Sequence, residues 1–210
     1  MLFSNIWYPL LKKKMLHKQK SKIYLLALLL TLSSLALYSI YPGIKMAPDI
    51  SFKTINNKQI QLNQLHGKVV LISFWASNCP SCLKEIPDLI NLYREYHQRG
   101  LEIIAIAMYY DRPNYVVETS KNYQIPYDIV LDLGMDLATA FDNVALTPTT
   151  FLLSPQGEII YQVTGSFDLQ AMQTRIQTLL TQRIRIDCVS EAHHNLIPCW
   201  TSPGVEVNAL

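Results

Sequence analysis

Residues Ser73–Leu89 read SFWASNCPSCLKEIPDL, and they set two cysteines, Cys79 and Cys82, at the junction of two different patterns. Upstream, Val69–Trp75 (VVLISFW) is an unbroken apolar run of strand length, as expected for a strand covered on both faces. Downstream, Ile86, Leu89, Ile90 and Tyr93 recur at helical spacing, which predicts a helix from Cys79 to about Gln98, closed by Gly100. Pro80 occupies a first-turn position where a missing N–H costs nothing, whereas Pro87 should kink the helix.

A cysteine pair with two intervening residues has three chemical readings. A structural zinc site needs four ligands, and a single Cys-x-x-Cys knuckle supplies only two. A purely structural disulfide would close too short a loop to restrain the unfolded chain much. A redox dithiol explains more. The free N–H groups and dipole at a helix start stabilise a thiolate, and the thiolate is the species that attacks disulfides. Cys82, on the same helical face as Cys79, is placed to resolve a mixed disulfide.

Outward from this centre, Ile50/Phe52 and Ile60/Leu62 flank Asn56-Asn57 as a small β-hairpin. Leu101–Met108 reads as a second buried strand and Asp111–Gln124 as a helix with Pro113 near its start. Tyr127–Leu131 is a third strand candidate and Met135–Phe141 a short helix. Thr149–Leu153 and Glu158–Thr164 form an antiparallel hairpin around the turn Ser154-Pro155-Gln156-Gly157. A last helix begins after Ser166, a good N-cap, with Leu169, Met172, Ile176 and Leu180 on one stripe. Strands alternating with helices, then a hairpin and a closing helix, make an α/β protein with a mixed central sheet flanked by helices.

The run Ala47–Pro87, APDISFKTINNKQIQLNQLHGKVVLISFWASNCPSCLKEIP, resembles the TlpA/ResA group of membrane-anchored thioredoxin-like proteins. The matching features are Ala47-Pro48-Asp49, Gly67-Lys68, Phe74-Trp75-Ala76, Cys79 with Cys82, and Glu85 with Pro87. Similarity continues into LTPTTFLLSPQGEII, where Thr147-Pro148 would be the cis-proline loop beside the dithiol. The resemblance implies a thioredoxin-like fold outside the cytoplasmic membrane, with the hairpin ahead of it. It implies reduction of disulfides in client proteins, often in cytochrome c maturation, and recharging by a membrane electron carrier of the DsbD type. Two departures stand out. Asn78 replaces a common Trp, and Ser73 stands where thioredoxin has a buried Asp.

Individual residues carry competing readings. Pro148 either starts an edge strand in trans or, in cis, exposes the Thr147 backbone to a substrate strand. Glu85 is either a solvated first-turn carboxylate or, as the resemblance suggests, a proton-transfer group at the dithiol. Trp75 packs at the rim of the site, and with Pro80, Ser81, Thr147 and Pro148 completes the expected substrate side. Tyr109 and Tyr110 end a central strand, where α/β folds bind ligands, but edge packing explains them more simply.

The two ends of the chain differ from its middle. Residues 1–48 hold seven lysines and no acid, leaving 11 Lys+Arg against 16 Asp+Glu in the remainder. With no basic, aromatic-laced patch beyond that block, nucleic-acid binding is not expected. Lys12, Lys13, Lys14, Lys18, Lys20 and Lys22 precede the uncharged run Ile23–Tyr41. As a helix that run is about 28 Å long, near the ~30 Å of a bilayer's hydrocarbon core. The expectation is a cytoplasmic leader (1–22), a transmembrane anchor (23–41), an exported thioredoxin-like domain (42–182) and a tail (183–210). A cleaved signal peptide, with Ser34 and Ala36 as its small residues, is the rival. In the tail, Cys188 and Cys199 read as a structural disulfide in an oxidising compartment, with zinc or copper held by them and His193 and His194 as an alternative, and a second redox pair as another. No cofactor is expected beyond the Cys79–Cys82 pair, and no metal. Three rival functions remain: an oxidase or isomerase, a metal-binding module, and a thiol peroxidase, the last opposed by Ala76 where a peroxidase motif has Thr.

Overall fold

The computed structural model describes residues 28–34 and 43–192, with side-chain surroundings up to 182. Residues 28–34 are helical. Among the described residues, no helix is long and apolar enough to cross a membrane. The rest of the expected 23–41 anchor, and the 1–22 leader, lie outside the described residues.

The described residues from Lys45 onward form one compact unit. Strands β1 (Ser51–Lys53) and β2 (Gln59–Gln61) pair antiparallel with Phe52 opposite Ile60. Asn57 turns the chain between them at φ 70°, a left-handed conformation that Asn tolerates. After a short 3-10 turn come β3 (Val69–Trp75), α1 (Pro80–Tyr96), β4 (Leu101–Ala107), α2 (Pro113–Asn122) and β5 (Asp128–Leu131). Helix α3 (Asp136–Ala140), β6 (Thr149–Leu153), β7 (Ile159–Thr164) and α4 (Leu169–Ala192) complete the order.

The main sheet runs β5-β4-β3-β6-β7. Strand β3 is parallel to β4 and antiparallel to β6, and β5 is parallel to β4, so the sheet is mixed. Alternation along β3 explains its unbroken apolar run. Val69, Leu71 and Trp75 pack with Ile86 and Leu89 of α1 and Met172 and Ile176 of α4. Val70, Ile72 and Phe74 face the other way, onto Leu137 of α3, Phe141, Phe151 and the hairpin residues Phe52 and Ile60. Both faces are covered, so neither needs polar residues.

Two local expectations change. Helix α4 is capped by Asp168, not Ser166: Asp168 Oδ1 accepts the Ala171 N–H at 2.7 Å. The same helix continues past residue 182 to Ala192, taking in the first part of the expected tail. Helix α1 runs through Pro87, which is exposed and has no N–H to offer the Leu83 carbonyl.

Candidate active site

Cys79 is the N-cap of α1, and Pro80 begins the helix behind it. The Cys82 N–H points to Cys79 Sγ at 3.2 Å, so the sulfur occupies the place of a capping oxygen. A thiolate there accepts this bond more strongly than a thiol does, which favours ionisation of Cys79. The two cysteines are joined by a disulfide with Cα atoms 5.2 Å apart. Their exposure differs: Cys79 is half-buried, whereas Cys82 is 2% exposed. Ser81 Oγ lies 3.4 Å from Cys79 Sγ, and Pro80 is exposed beside it.

The turn carrying Cys79 is held from β4. Asp111, just past that strand and largely buried, accepts the Ser77 N–H at 2.5 Å and the Ser77 hydroxyl at 2.6 Å. Its own N–H returns to the Met108 carbonyl. In the sequence Asp111 reads only as a helix start, because nothing local shows that its carboxylate faces a residue 34 positions earlier.

Strand register brings the proline loop to the same place. Phe74 lies opposite Thr149, so Pro148 sits level with the end of β3 that leads to Cys79. The Thr147–Pro148 bond is cis. Pro148 is buried and its carbonyl accepts from Gly165 N, while Thr147 stays half-exposed.

Glu85 departs most from expectation. It lies in the second turn of α1, not the first, and is 4% exposed rather than solvated. Oε1 accepts the Phe167 N–H at 3.0 Å, but Oε2 has no protein partner among the described residues. Burial pushes the carboxyl up to about 7; the Phe167 N–H opposes this and Asp88 adds to it. Glu85, Cys82, Trp75, Ser73 and Tyr127 line a cavity of about 10 Å³, close to the ~10–15 Å³ that one water requires. Trp75 is buried as packing, yet its Nε1 is a second polar atom without a protein partner. Burial also raises the Tyr127 hydroxyl, with Glu85 a lesser cause. Tyr127 and Phe167 were not anticipated as site residues, since one reads as a strand start and the other as linker.

Residues 44–162 match the AhpC/TSA family over more than half of the chain. The chain belongs to the AhpC/TSA family. Among curated relatives, the thiol-disulfide oxidoreductase ResA of Bacillus subtilis (strain 168) is 35% identical over 120 residues, covering 57% of this chain and 66% of that protein. ResA of Halalkalibacterium halodurans is 32% identical over 130 residues, 61% of this chain and 72% of the relative. Among solved structures, a candidate thioredoxin from Neisseria meningitidis superposes with TM-score 0.61 at 28% identity, covering 73% of this chain and 98% of that one. StoA from Bacillus subtilis gives TM-score 0.53 at 24% identity, over 60% of this chain and 93% of its own, which speaks to the fold. This AhpC/TSA protein is therefore a thiol–disulfide oxidoreductase with a thioredoxin-like fold, and family membership implies disulfide-bearing clients.

The remaining expected sites lie elsewhere. Cys188 falls in the backbone of α4, while His193, His194 and Cys199 lie outside the described residues. Among the described residues, no group of three or more His, Cys, Asp or Glu side chains could hold a metal ion.

Proposed function

We propose that this protein is a membrane-anchored reductase of client disulfides outside the cytoplasm. The observation that carries the exchange chemistry is Glu85: a buried carboxyl raised to about 7, in the same cavity as the second cysteine. A group with that pKa can take and return a proton near neutral pH. The Cys79 thiolate attacks one sulfur of the client disulfide and expels the other as a thiolate. Cys82 gives its proton to the Glu85 carboxylate, directly or through the single water that the cavity accommodates. The Cys82 thiolate then attacks Cys79 Sγ, closing the protein disulfide and releasing the second client sulfur. Glu85 returns the proton to solvent. The net change is oxidation of Cys79 and Cys82 and two-electron reduction of the client. Thr147 offers its backbone to the client strand during attack.

Resetting the site needs two electrons and two protons from another dithiol, and a membrane carrier of the DsbD type has that chemistry. Cytochrome c maturation is the client pathway that the family resemblance favours. The lysine block ahead of the 23–41 apolar run supports a cytoplasmic N-terminus.

Equilibration of the full chain with glutathione redox buffers tests direction. A reductase should titrate near the roughly −270 mV of thioredoxin, and a value near the roughly −120 mV of DsbA would assign an oxidase instead. Anchoring is tested by salt-washing membranes: retention of the full-length chain is expected, and release of a shortened soluble form would identify a cleaved signal.

A further inference from the structure

Tyr109 and Tyr110 do not pack into the sheet edge. They are 48% and 46% exposed, stacked edge to face with ring centroids 5.3 Å apart. Tyr110 reaches toward the proline loop, its hydroxyl 3.4 Å from Thr147 Oγ1. Leu146, the residue before Thr147, is 65% exposed, and Leu133, one loop further along the edge, is 67% exposed.

Strand order explains why these side chains belong together. With β5, β4 and β3 parallel and β6 antiparallel, the loops after β3, β4 and β5 and the loop before β6 share one edge of the sheet. Two hydrogen bonds of 3.0 Å tie that edge, Met108 N to the Trp75 carbonyl and Asp132 N to the Ala107 carbonyl. It is the edge that carries Cys79. Isolated exposed apolar residues are ordinary, but a group gathered beside a reactive sulfur marks a contact surface.

We propose that Tyr109, Tyr110 and Leu146 form a docking shelf selecting client segments that carry an aliphatic or aromatic side chain within a few residues of the cysteine to be reduced. This rests on the reading that Cys79 attacks client disulfides. Among the described residues, the Thr147 N–H and carbonyl make no backbone hydrogen bond, so an extended segment can pair there. Side chains of a paired strand alternate, so one row of the client faces the Tyr110 side. Asn78, next to Cys79 in the chain, and Lys84 of α1 are exposed polar residues that add nothing to this apolar group. Tyrosine suits the task because its large ring loses little conformational freedom on contact. A second copy of the chain is a poor occupant. A few half-exposed side chains fall short of the ~800 Å² per partner that a stable dimer buries, whereas a transient client complex needs less.

The test uses the reduced full-length protein in detergent and two synthetic peptides, each closed by one disulfide. They are identical except that Leu and Phe beside one cysteine are replaced by Ser in the second. The wild-type protein should reduce the apolar peptide about tenfold faster than the Ser peptide, a difference of ~1.4 kcal/mol in the barrier. In the double variant Tyr109→Ser/Tyr110→Ser, the ratio of the two rates should fall to about one. The melting temperature and the Cys79–Cys82 potential, read on the same sample, report whether that variant is folded. Tyr110→Phe, which keeps the ring, should retain the preference. Equal rates with the wild type, a preference that survives in the folded double variant, or a concentration-dependent dimer that hides the tyrosines would each overturn the shelf. Failure to reduce either peptide, or cystine, would instead overturn the reductase reading and the shelf with it.

Discussion

Glu85 of α1 and Phe167, just ahead of α4, meet through a 3.0 Å hydrogen bond from the Phe167 N–H to Glu85 Oε1, 82 residues apart in the chain. This bond fixes one oxygen of a buried carboxyl and leaves the other in the cavity shared with Cys82. Burial raises this carboxyl from the ordinary 4.5 to about 7, and the Phe167 N–H opposes the rise.

Glu85 should make stability depend on pH. Its pKa rises from the ordinary 4.5 to about 7 in the folded protein, so between those values the native state holds a proton that the unfolded chain releases. Stability therefore falls as pH climbs through this window, by on the order of 3 kcal/mol from this group. Glu85→Gln should flatten the slope. Thermal unfolding at about pH 5 and about pH 8 checks it, with the wild type losing more than the variant at the higher pH. Equal losses would mean that burial does not govern this carboxyl.

The unequal exposure of the cysteines predicts unequal chemistry. In the reduced protein, a soluble alkylating agent should modify half-buried Cys79 at least ~10-fold faster than Cys82, which is 2% exposed. Cys82→Ser should accumulate mixed disulfides with clients on non-reducing gels, because attack proceeds without resolution. Cys79→Ser should accumulate none. Trapping through Cys82 in the absence of Cys79 would reverse the assigned roles.

Asp111 is expected to matter through position. Asp111→Ala removes two charge-assisted bonds to Ser77 and should cost about 1.5–3 kcal/mol, measured by urea unfolding. It should also shift the pKa of Cys79, read by thiolate absorbance, because the turn before the sulfur is released. Asp111→Asn, which can still accept from the Ser77 N–H, should recover most of the stability. An unaltered Cys79 titration in the Ala variant would reduce Asp111 to a purely structural tie.

Phe74 tests the packing beneath the site. Fully buried, it meets Phe141 and Phe151 edge to face at 5.6 Å and 6.0 Å. Phe74→Ala should cost roughly 3–5 kcal/mol in global unfolding. A loss below ~1 kcal/mol would show that this side of the sheet repacks freely.

Much of this architecture was legible because it depends on local pattern. Val69–Trp75 and Thr149–Leu153 have the same bounds in sequence and structure, since an apolar run between turn residues leaves few alternatives. The start of α1 was equally plain: Cys79 and Pro80 have the chemistry of a helix start whatever surrounds them. Cap choice was less certain. Ser166 and Asp168 are both short acceptors near the start of α4, and it is Asp168 Oδ1 that takes the Ala171 N–H. The far end of α4 was missed although Ile184 and Cys188 continue the four-residue spacing of Ile176 and Leu180.

By itself, then, the sequence determined the dithiol, its place at a helix start and the strands around it, all set by neighbours a few residues away. Only the tertiary structure decided the environments. It buried Glu85 beside Cys82, faced Asp111 onto Ser77, and left Tyr109 and Tyr110 in solvent beside Thr147. Desolvation and hydrogen bonding across the sheet are long-range in the chain, so the same carboxylate, aspartate or tyrosine reads alike in sequence whether it is exposed or enclosed.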